Sequence, residues 1–176
     1  MANRQALKEL HIRLAERLQL AKTQGIAPSW LAVEAGSQKY LFPLDQSGEI
    51  FSWVGIQPVS YTQAWFLGVA SLRGGLYGVV DLAGFVTGQA SGYRNELVRS
   101  ESRLVSLNTA FEVNSVLLID RLAGLRRQVD FSDYVARKPD EPAFYGNQYV
   151  DLHGASWQEI NLQILARQVD FLTVAA

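Results

Sequence analysis

The sequence contains few residue types that could carry out covalent chemistry. His11 and His153 are its only histidines, and it has no cysteine. Asp151-x-His153 sets a carboxylate near an imidazole, which could orient a general base. No Gly-x-Ser-x-Gly nucleophile elbow accompanies that pair, and no glycine-rich phosphate-binding motif occurs. We therefore predict a protein that is not an enzyme and that uses no cofactor and no metal.

One charged side chain is placed for binding rather than for catalysis. Arg73 is the only charged residue between Trp65 and Val80, in a Ser-Leu-Arg-Gly-Gly connection that joins two apolar runs. A guanidinium in a tight turn can pair with a carboxylate through two parallel hydrogen bonds, which lysine cannot do. Two interpretations stay open at this point. Arg73 contacts a partner protein, or it forms an internal salt bridge with a residue such as Glu49.

The residues around Arg73 favour structural roles. We expect the glycines to serve the backbone, because glycine permits positive φ angles and close approach of strands. We expect Asp81 to cap or pair locally at the end of its strand. The tryptophans should be core residues, apart from Trp53, which follows Glu49 in an element expected to reach the surface. The glycines concerned are Gly68, Gly74, Gly75 and Gly78, and the core tryptophans are Trp30, Trp65 and Trp157.

Composition limits the class of protein. The chain has 176 residues, of which 48% are hydrophobic and 19% charged, with a net charge of −1. This length suits one domain or two small joined lobes, and the apolar content can fill a core. The balanced charge argues against a nucleic-acid-binding protein, which usually has a basic surplus. Since no signal peptide and no apolar run of about 20 residues occurs, we expect a cytoplasmic protein.

The N-terminal segment has the pattern of an amphipathic helix. Over residues 4–22 the apolar positions recur every three or four residues, and Gly25 and Pro28 follow as stop signals. This helix could pack on its own domain or bind a partner, and both alternatives stay open. The stripe consists of Leu7, Leu10, Leu14, Leu18 and Ala21.

From residue 29 onward the pattern changes to short β-like runs broken by turn residues. Two clusters of such runs, before and after residues 88–92, predict two small antiparallel β-lobes. Within them we expect a hairpin from runs 65–70 and 76–82, a short helix over 82–88, a strand over 110–114 and a loop over 130–147. After a return strand over 148–152, Ser156 and Glu159 form a capping box that predicts a C-terminal helix.

Three groups of residues together resemble one protein family. The first is the run 66–70, the step Leu72-Arg73-Gly74 and a strand that ends in Val79-Val80-Asp81-Leu82. The second is the run 39–44 followed by Gly48-Glu49-Ile50, and the third is residues 115–122, with Asp120-Arg121 near their end. On these motifs the chain resembles the CheW family of adaptors, which couple chemoreceptors to a histidine kinase. The resemblance extends over residues 29–172.

This resemblance implies a fold and a function. The family fold is two five-stranded SH3-like β-barrels that share a hydrophobic seam, here with a helix at each end. Residues 1–28 would then be an added helix and linker, and residues 29–176 the CheW-like domain. The family function is a non-enzymatic adaptor, located in receptor arrays at the inner membrane, that binds the regulatory domain of a CheA-type kinase and the cytoplasmic tip of a methyl-accepting receptor. The implied partner-binding residues are Glu49, Trp53, Gly68, Val69, Leu72, Arg73 and Gly74.

Several alternatives remain at this stage. The added N-terminal segment and the divergent first half are more similar to the PilI-type adaptor of type IV pilus twitching motility, and the motifs themselves leave open whether the output is flagellar or pilus motility. A different class of function would be a small β-barrel enzyme or ligand-binding protein that uses the cleft between the lobes. A third would be a single-stranded nucleic-acid barrel with aromatic residues such as Trp53, Tyr61 and Tyr77 as stacking platforms.

Overall fold

A computed structural model describes residues 29–92 and 94–176. The predicted helix over residues 4–22 lies outside the described residues. Eleven strands and four short helices occupy the described part of the chain. The strands are β1 Trp30–Ala35, β2 Gln38–Pro43, β3 Ser47–Ser52, β4 Phe66–Leu72, β5 Gly75–Asp81, β6 Arg103–Leu107, β7 Ser115–Ile119, β8 Arg121–Arg126, β9 Phe131–Val135, β10 Tyr145–Asp151 and β11 Ser156–Ile160. The helices are α1 Leu82–Thr87, α2 Glu96–Glu101, α3 Leu162–Leu165 and α4 Val169–Leu172.

The strands form two sheets, each of which is the frame of one lobe. The six-stranded lobe has the strand order β8-β1-β2-β11-β10-β9, and the five-stranded lobe has the order β3-β6-β7-β5-β4. Neighbouring strands are antiparallel, except that β2 pairs with β11, and β5 with β7, in parallel. The mainly-β, two-lobe prediction is confirmed. One lobe has six strands rather than five, because β9 forms inside the segment predicted to be a loop.

The central strands are buried on both faces, which explains their continuous apolar sequences. In β7, Leu117 and Ile119 belong to a cluster that lies between the two sheets, whereas Val116 and Leu118 point into the interior of the five-stranded lobe. β1 shows the same alternation, since Val33 faces the shared cluster and Ala32 faces the interior of the six-stranded lobe. Strands with a hydrophobic partner on each side need apolar residues at every position. The predicted hydrophobic seam is therefore the cluster shared by the two sheets.

A close backbone approach covers one edge of the five-stranded lobe. The backbone of Gln57 exchanges two hydrogen bonds with Val69 of β4, at 2.8 and 2.9 Å. Gly68, the residue before Val69, has a φ angle of +132°. A Cβ atom at Gly68 would collide with the carbonyl of Gln57 and lie 2.8 Å from the Cα of Pro58. Only glycine fits this position, so Gly68 allows Gln57 to pair with the edge strand.

The C-terminal region corrects one prediction. Ser156 and Glu159 do not cap a helix, because Ser156–Ile160 is strand β11, which pairs with both β10 and β2. The helical segment begins later, where the side chain of Asn161 accepts a hydrogen bond from the N–H of Ile164. The apolar residues expected on the predicted helix are divided among three elements: Ile160 lies in β11, Leu162 and Leu165 lie in α3, and Val169 and Leu172 lie in α4. Pairing with two neighbouring strands outweighs the local capping signal.

Two other local predictions were wrong and one is confirmed. Residues 110–114 do not form a strand, because Asn108 caps a 3₁₀ turn over Thr109–Phe111 by accepting from the N–H of Ala110. The predicted loop over residues 130–147 contains β9, which pairs with β10 and adds an edge to its sheet. The short helix after the Val-Val-Asp-Leu strand is present as α1, and Gly88 ends it with φ +68°.

We predict that Gly68→Ala destabilises the protein by about 2 kcal/mol or more, because the added methyl group meets backbone and the φ angle is unfavourable for alanine. The free energy of unfolding from urea titration, followed by tryptophan fluorescence, measures the effect. Gly55→Ala is the control, since a Cβ at Gly55 meets nothing within 4 Å. Equal stability of the two variants would contradict the proposed close approach.

We predict that Asp151 makes stability depend on acid pH. The hydrogen bond from the Trp157 indole, helped by the N–H groups of Ala155 and His153, lowers the pKa of Asp151, although burial opposes this. A carboxyl group with a lowered pKa in the folded state stabilises the protein above its unfolded pKa, and this contribution is lost as pH falls through the folded pKa. Asp151→Asn should therefore lower the free energy of unfolding at pH 6, and the difference should shrink towards pH 2.

Urea unfolding of both proteins at pH 6 and at pH 2.5 tests this expectation. Asp140→Asn, at an exposed position, is the matched control and should leave stability nearly unchanged at both pH values. A cost for Asp151→Asn that is the same at both pH values would show that the charge of Asp151 is not involved.

Candidate functional site

The β4–β5 hairpin holds Arg73 at its tip. Leu72 pairs with Gly75, so the loop consists of two residues, Arg73 and Gly74, with φ angles of +47° and +81°. Two consecutive positive φ angles are the mark of a type I′ turn, whose twist matches that of the flanking strands. A non-glycine residue in this conformation is uncommon. The turn holds the guanidinium of Arg73 outside the sheet while Leu72 stays buried.

Glu49 is held on the opposite edge of the same sheet. Its backbone N–H donates to the Ser106 hydroxyl at 2.8 Å, where the pairing of β3 with β6 is irregular. Next to it, a Cβ at Gly48 would collide with that hydroxyl. The close contact with β6 thus determines where the Glu49 side chain leaves the strand.

Arg73 and Glu49 form an ion pair across the two edges of the five-stranded sheet. Arg73 Nε lies 3.1 Å from Glu49 Oε2, and Nη1 donates to Oε1 at 3.4 Å. Since β3 and β4 are the outermost strands, this contact requires the sheet to curl until its edges face each other. The side chains are 77% and 53% exposed. The internal salt bridge is therefore present, and its guanidinium remains accessible to a partner.

A hollow of about 390 Å³ lies beside this ion pair. Phe51, Leu72 and Tyr77 give it apolar walls, and the Phe51 and Tyr77 rings are 6.3 Å apart. Its polar lining comes from Ser106, Asn108 and other residues of the neighbouring turn. This combination can receive an apolar side chain of a partner while Arg73 or Glu49 pairs with an adjacent charge.

The other residues predicted to bind a partner are Gly68, Val69 and Trp53. Val69 pairs with Gln57 beside Gly68, as described above. Trp53 is half-buried in the apolar cluster of the five-stranded lobe, which also contains Leu72, and the Arg99 guanidinium lies 5.4 Å from the centre of its ring. The structure thus brings Glu49 and Leu72 to the turn formed by Arg73 and Gly74, and it places Trp53 in the same apolar cluster as Leu72.

Sequence reasoning missed a cluster of charges around Arg94. The Arg94 guanidinium donates to both oxygens of Asp81, at 2.9 and 3.3 Å, and through Nε to Asp120 at 2.8 Å. The side chains of Arg94 and Asp81 are only 12% and 1% exposed. Asp81 was expected to pair locally and instead pairs with a residue 13 positions away. A signal existed in the sequence: Asp81 and Asp120 each follow a run of buried apolar residues, and buried carboxylates need a cation.

Burial would lower the pKa of Arg94, but the hydrogen bonds and charges of Asp81 and Asp120 outweigh it, so the pKa is raised further. Arg94 thus stays charged at every pH at which the protein folds. The guanidinium fork can serve two carboxylates at once, which an ammonium group cannot do in the same geometry.

The only histidine among the described residues has no catalytic geometry. Asp151 uses one oxygen for the backbone N–H groups of His153 and Ala155 and the other for the Trp157 indole. It therefore holds a backbone turn rather than the imidazole, which is exposed. Across residues 29–92 and 94–176, no group of three or more acidic, histidine or cysteine side chains is arranged to hold a metal ion.

Comparison with known families identifies the domain. The family model described as CheW-like domain matches residues 29–141, which is well over half of the chain. The chain belongs to the CheW-like domain family. This match includes the ion pair of Glu49 and Arg73 and the cluster around Arg94, and it begins where the described structure begins.

Solved structures agree with this assignment of the fold. The scaffolding protein TtCheW from Thermoanaerobacter tengcongensis superposes with a TM-score of 0.64 at 16% sequence identity, over 82% of this chain and 91% of that one. None of the curated protein sequences matches the chain. In the part of the chain that the structure describes, no helix is long and apolar enough to cross a membrane.

We predict that the ion pair of Arg73 and Glu49 contributes little to stability. In a double-mutant cycle with Arg73→Ala and Glu49→Ala, the coupling energy should be below about 1 kcal/mol, because both side chains are largely solvated. Thermal or urea unfolding measures it. As a reference, a second double-mutant cycle with Glu34→Ala and Arg121→Ala measures the coupling energy of an ion pair at 2.8 Å in the six-stranded lobe. A coupling above about 2 kcal/mol would instead assign Arg73 to holding the lobe together.

Proposed function

We propose that this protein is a non-enzymatic signalling adaptor that couples methyl-accepting chemoreceptors to a CheA-type histidine kinase. The observation that carries the proposal is the exposed ion pair of Arg73 and Glu49 beside an apolar hollow, on the motif by which the chain resembles the family. A structural arginine would be expected to be buried or held by several partners. Within residues 29–92 and 94–176, Arg73 has one partner, Glu49, in a weak and solvated contact, which a carboxylate of another protein can replace at low cost.

The kinase regulatory domain is the proposed partner of the Arg73 surface. Arg73 would pair with a carboxylate of the kinase while an apolar side chain of the kinase enters the hollow near Phe51 and Tyr77. The receptor tip, a hairpin of helices, would bind an adjacent apolar groove. Ile50 and Leu76, on the strands that border the hollow, are exposed and offer apolar surface for such a contact.

The adaptor works by assembly, and no bond is made or broken. Each contact can be weak, because receptors and kinases in an array present many copies and multivalency raises the effective affinity. We place the protein in the cytoplasm, at receptor arrays on the inner membrane. Within this proposal, residues 29–176 are the adaptor domain and residues 1–28 an added segment. That segment, which precedes the family match, favours the PilI-type adaptor of type IV pilus twitching motility.

We predict that Arg73→Glu weakens binding of the kinase regulatory domain at least about 30-fold, because it sets two carboxylates against each other and repels the acidic partner group. Titration calorimetry with the kinase domain of the same organism gives the affinity. The control Arg167→Glu changes the charge equally at an exposed position between α3 and α4. A circular dichroism spectrum and a melting temperature like those of the wild type show that each variant is folded.

The swap of the two charges refines this test. Arg73→Glu combined with Glu49→Arg restores an internal ion pair but reverses its direction, so we expect binding to stay weak. If the swap restored binding, only the internal salt bridge would matter. If Arg73→Glu bound the kinase as tightly as the wild type does, the assignment of this surface would be overturned.

A further inference from the structure

The described part of the chain has an arginine whose position between the lobes is not explained by partner binding. Arg94 contacts the β4–β5 hairpin at Asp81, the end of β5 opposite to the Arg73 turn, and borders a different hollow, of about 410 Å³, together with Gly36, Ala83 and Asp120. Gly36 belongs to the β1–β2 turn of the six-stranded lobe, and Ala83 belongs to α1, which follows β5 of the five-stranded lobe. A Cβ at Gly36 would lie 3.3 Å from the Cβ of Ala83. The two lobes meet closely at this point.

Asp120 is the residue at which the chain passes from one lobe to the other. It lies between the end of β7 in the five-stranded sheet and the start of β8 in the six-stranded sheet. One of its carboxylate oxygens accepts the N–H of Gly36 at 2.7 Å, and its own N–H donates to the carbonyl of Glu34 at 2.8 Å. Both contacts attach Asp120 to the first hairpin of the six-stranded lobe.

Arg94 connects this point to the other lobe. It donates to Asp120 through Nε and to both oxygens of Asp81 through the remaining nitrogens. Asp81 is the last residue of β5, and its pairing with Leu118 of β7 places it deep in the five-stranded sheet. The chain of contacts Gly36–Asp120–Arg94–Asp81 therefore runs from one lobe to the other.

The rest of the contact between the lobes is mainly apolar. The polar contacts Gly36–Asp120–Arg94–Asp81 are therefore important for the orientation of the lobes. Apolar burial is non-directional, so packed sheets can slide or rotate slightly at low cost. Hydrogen bonds between charged groups have defined distances and directions. A buried ion pair adds little net stability compared with apolar packing, and its best-attested role is to select one register among several.

We propose that Arg94 is a positioning residue that sets the orientation of the six-stranded lobe relative to the five-stranded lobe. The consequence for signalling rests on the proposed adaptor function: an adaptor must hold kinase and receptor in one geometry, and two lobes that rotate freely would bind each partner without coupling them. The orientation itself does not depend on that function.

Asp120→Ala is the variant that tests the proposal. It removes the acceptor for Arg94 Nε and for Gly36 and leaves the buried pair of Arg94 and Asp81 intact, whereas a change of Arg94 would strand a buried carboxylate. The matched control is Glu34→Ala, which removes a carboxylate of similar exposure, 23% against 25%, whose partner Arg121 lies within the six-stranded lobe. If Asp120→Ala does not fold, Asp120→Asn replaces it, because the amide keeps the shape and one acceptor oxygen.

The distance between the lobes can be measured directly, since the chain has no cysteine of its own. Spin labels at Ser71→Cys on β4 and Asp133→Cys on β9, both exposed, report the orientation by pulsed electron paramagnetic resonance. Labels at Ser71→Cys and Asn114→Cys lie within one lobe and report its integrity. We expect Asp120→Ala to shift the inter-lobe distance or widen its distribution about twofold, and the intra-lobe distance and the Glu34→Ala control to stay as in the wild type.

A second measurement separates this proposal from the adaptor function. Asp120→Ala should bind the kinase regulatory domain within about twofold of the wild-type affinity yet fail to stimulate the kinase in the presence of receptor. An unchanged inter-lobe distribution in folded Asp120→Ala would overturn the positioning role of Arg94. Changed distances with full kinase coupling would overturn its signalling consequence. If the wild type bound no kinase, the adaptor function would fail, while the distance measurement would still decide the role of Arg94.

Discussion

The apolar seam between the two sheets is the contact on which the rest of the structure depends. Leu117 and Ile119 of β7 and Val33 of β1 are buried in it, and the opposite faces of the same strands fill the interiors of the lobes. One face of each sheet is thus buried in the interior of its own lobe, and the other face is buried against the second sheet. Neither sheet could expose the seam residues to water without a large loss of stability, because apolar burial is the main favourable term in folding.

Curling of the five-stranded sheet produces the hollow beside Arg73 and Glu49. The five-stranded sheet is bent until β3 and β4, its two edges, face each other, and the Arg73–Glu49 pair lies across that gap, while the rings of Phe51 on β3 and Tyr77 on β5 approach within 6.3 Å. The segment at Gln57 pairs with β4 over Gly68, so that edge is covered rather than available for other strands. The hollow is a product of the curl, and its residues are supplied by strands that are far apart in the order of the sheet.

Charged residues serve two different purposes in this fold. Arg73 and Glu49 are solvated and can exchange partners at low cost, which suits reversible recognition. Arg94, Asp81 and Asp120 are held between the lobes by several short hydrogen bonds, and their separation would leave buried charge without a partner. The first pair suits contact with another protein, and the second group suits a constant geometry between the parts of one protein.

Much of the fold and part of the site follow from the sequence alone. Periodicity and turn residues indicate the β4–β5 hairpin, the short helix after Asp81 and the buried strand β7, because these features depend on neighbours along the chain. The resemblance of Leu72-Arg73-Gly74 and Val79-Val80-Asp81-Leu82 to family motifs indicates the family, which the match over residues 29–141 shows. Only the tertiary structure decided that Ser156–Ile160 is a strand and that Arg94 joins Asp81 to Asp120. Each of these depends on partners between 13 and more than 100 positions away, and the pairing of distant strands and of buried charges is determined by the whole packed chain.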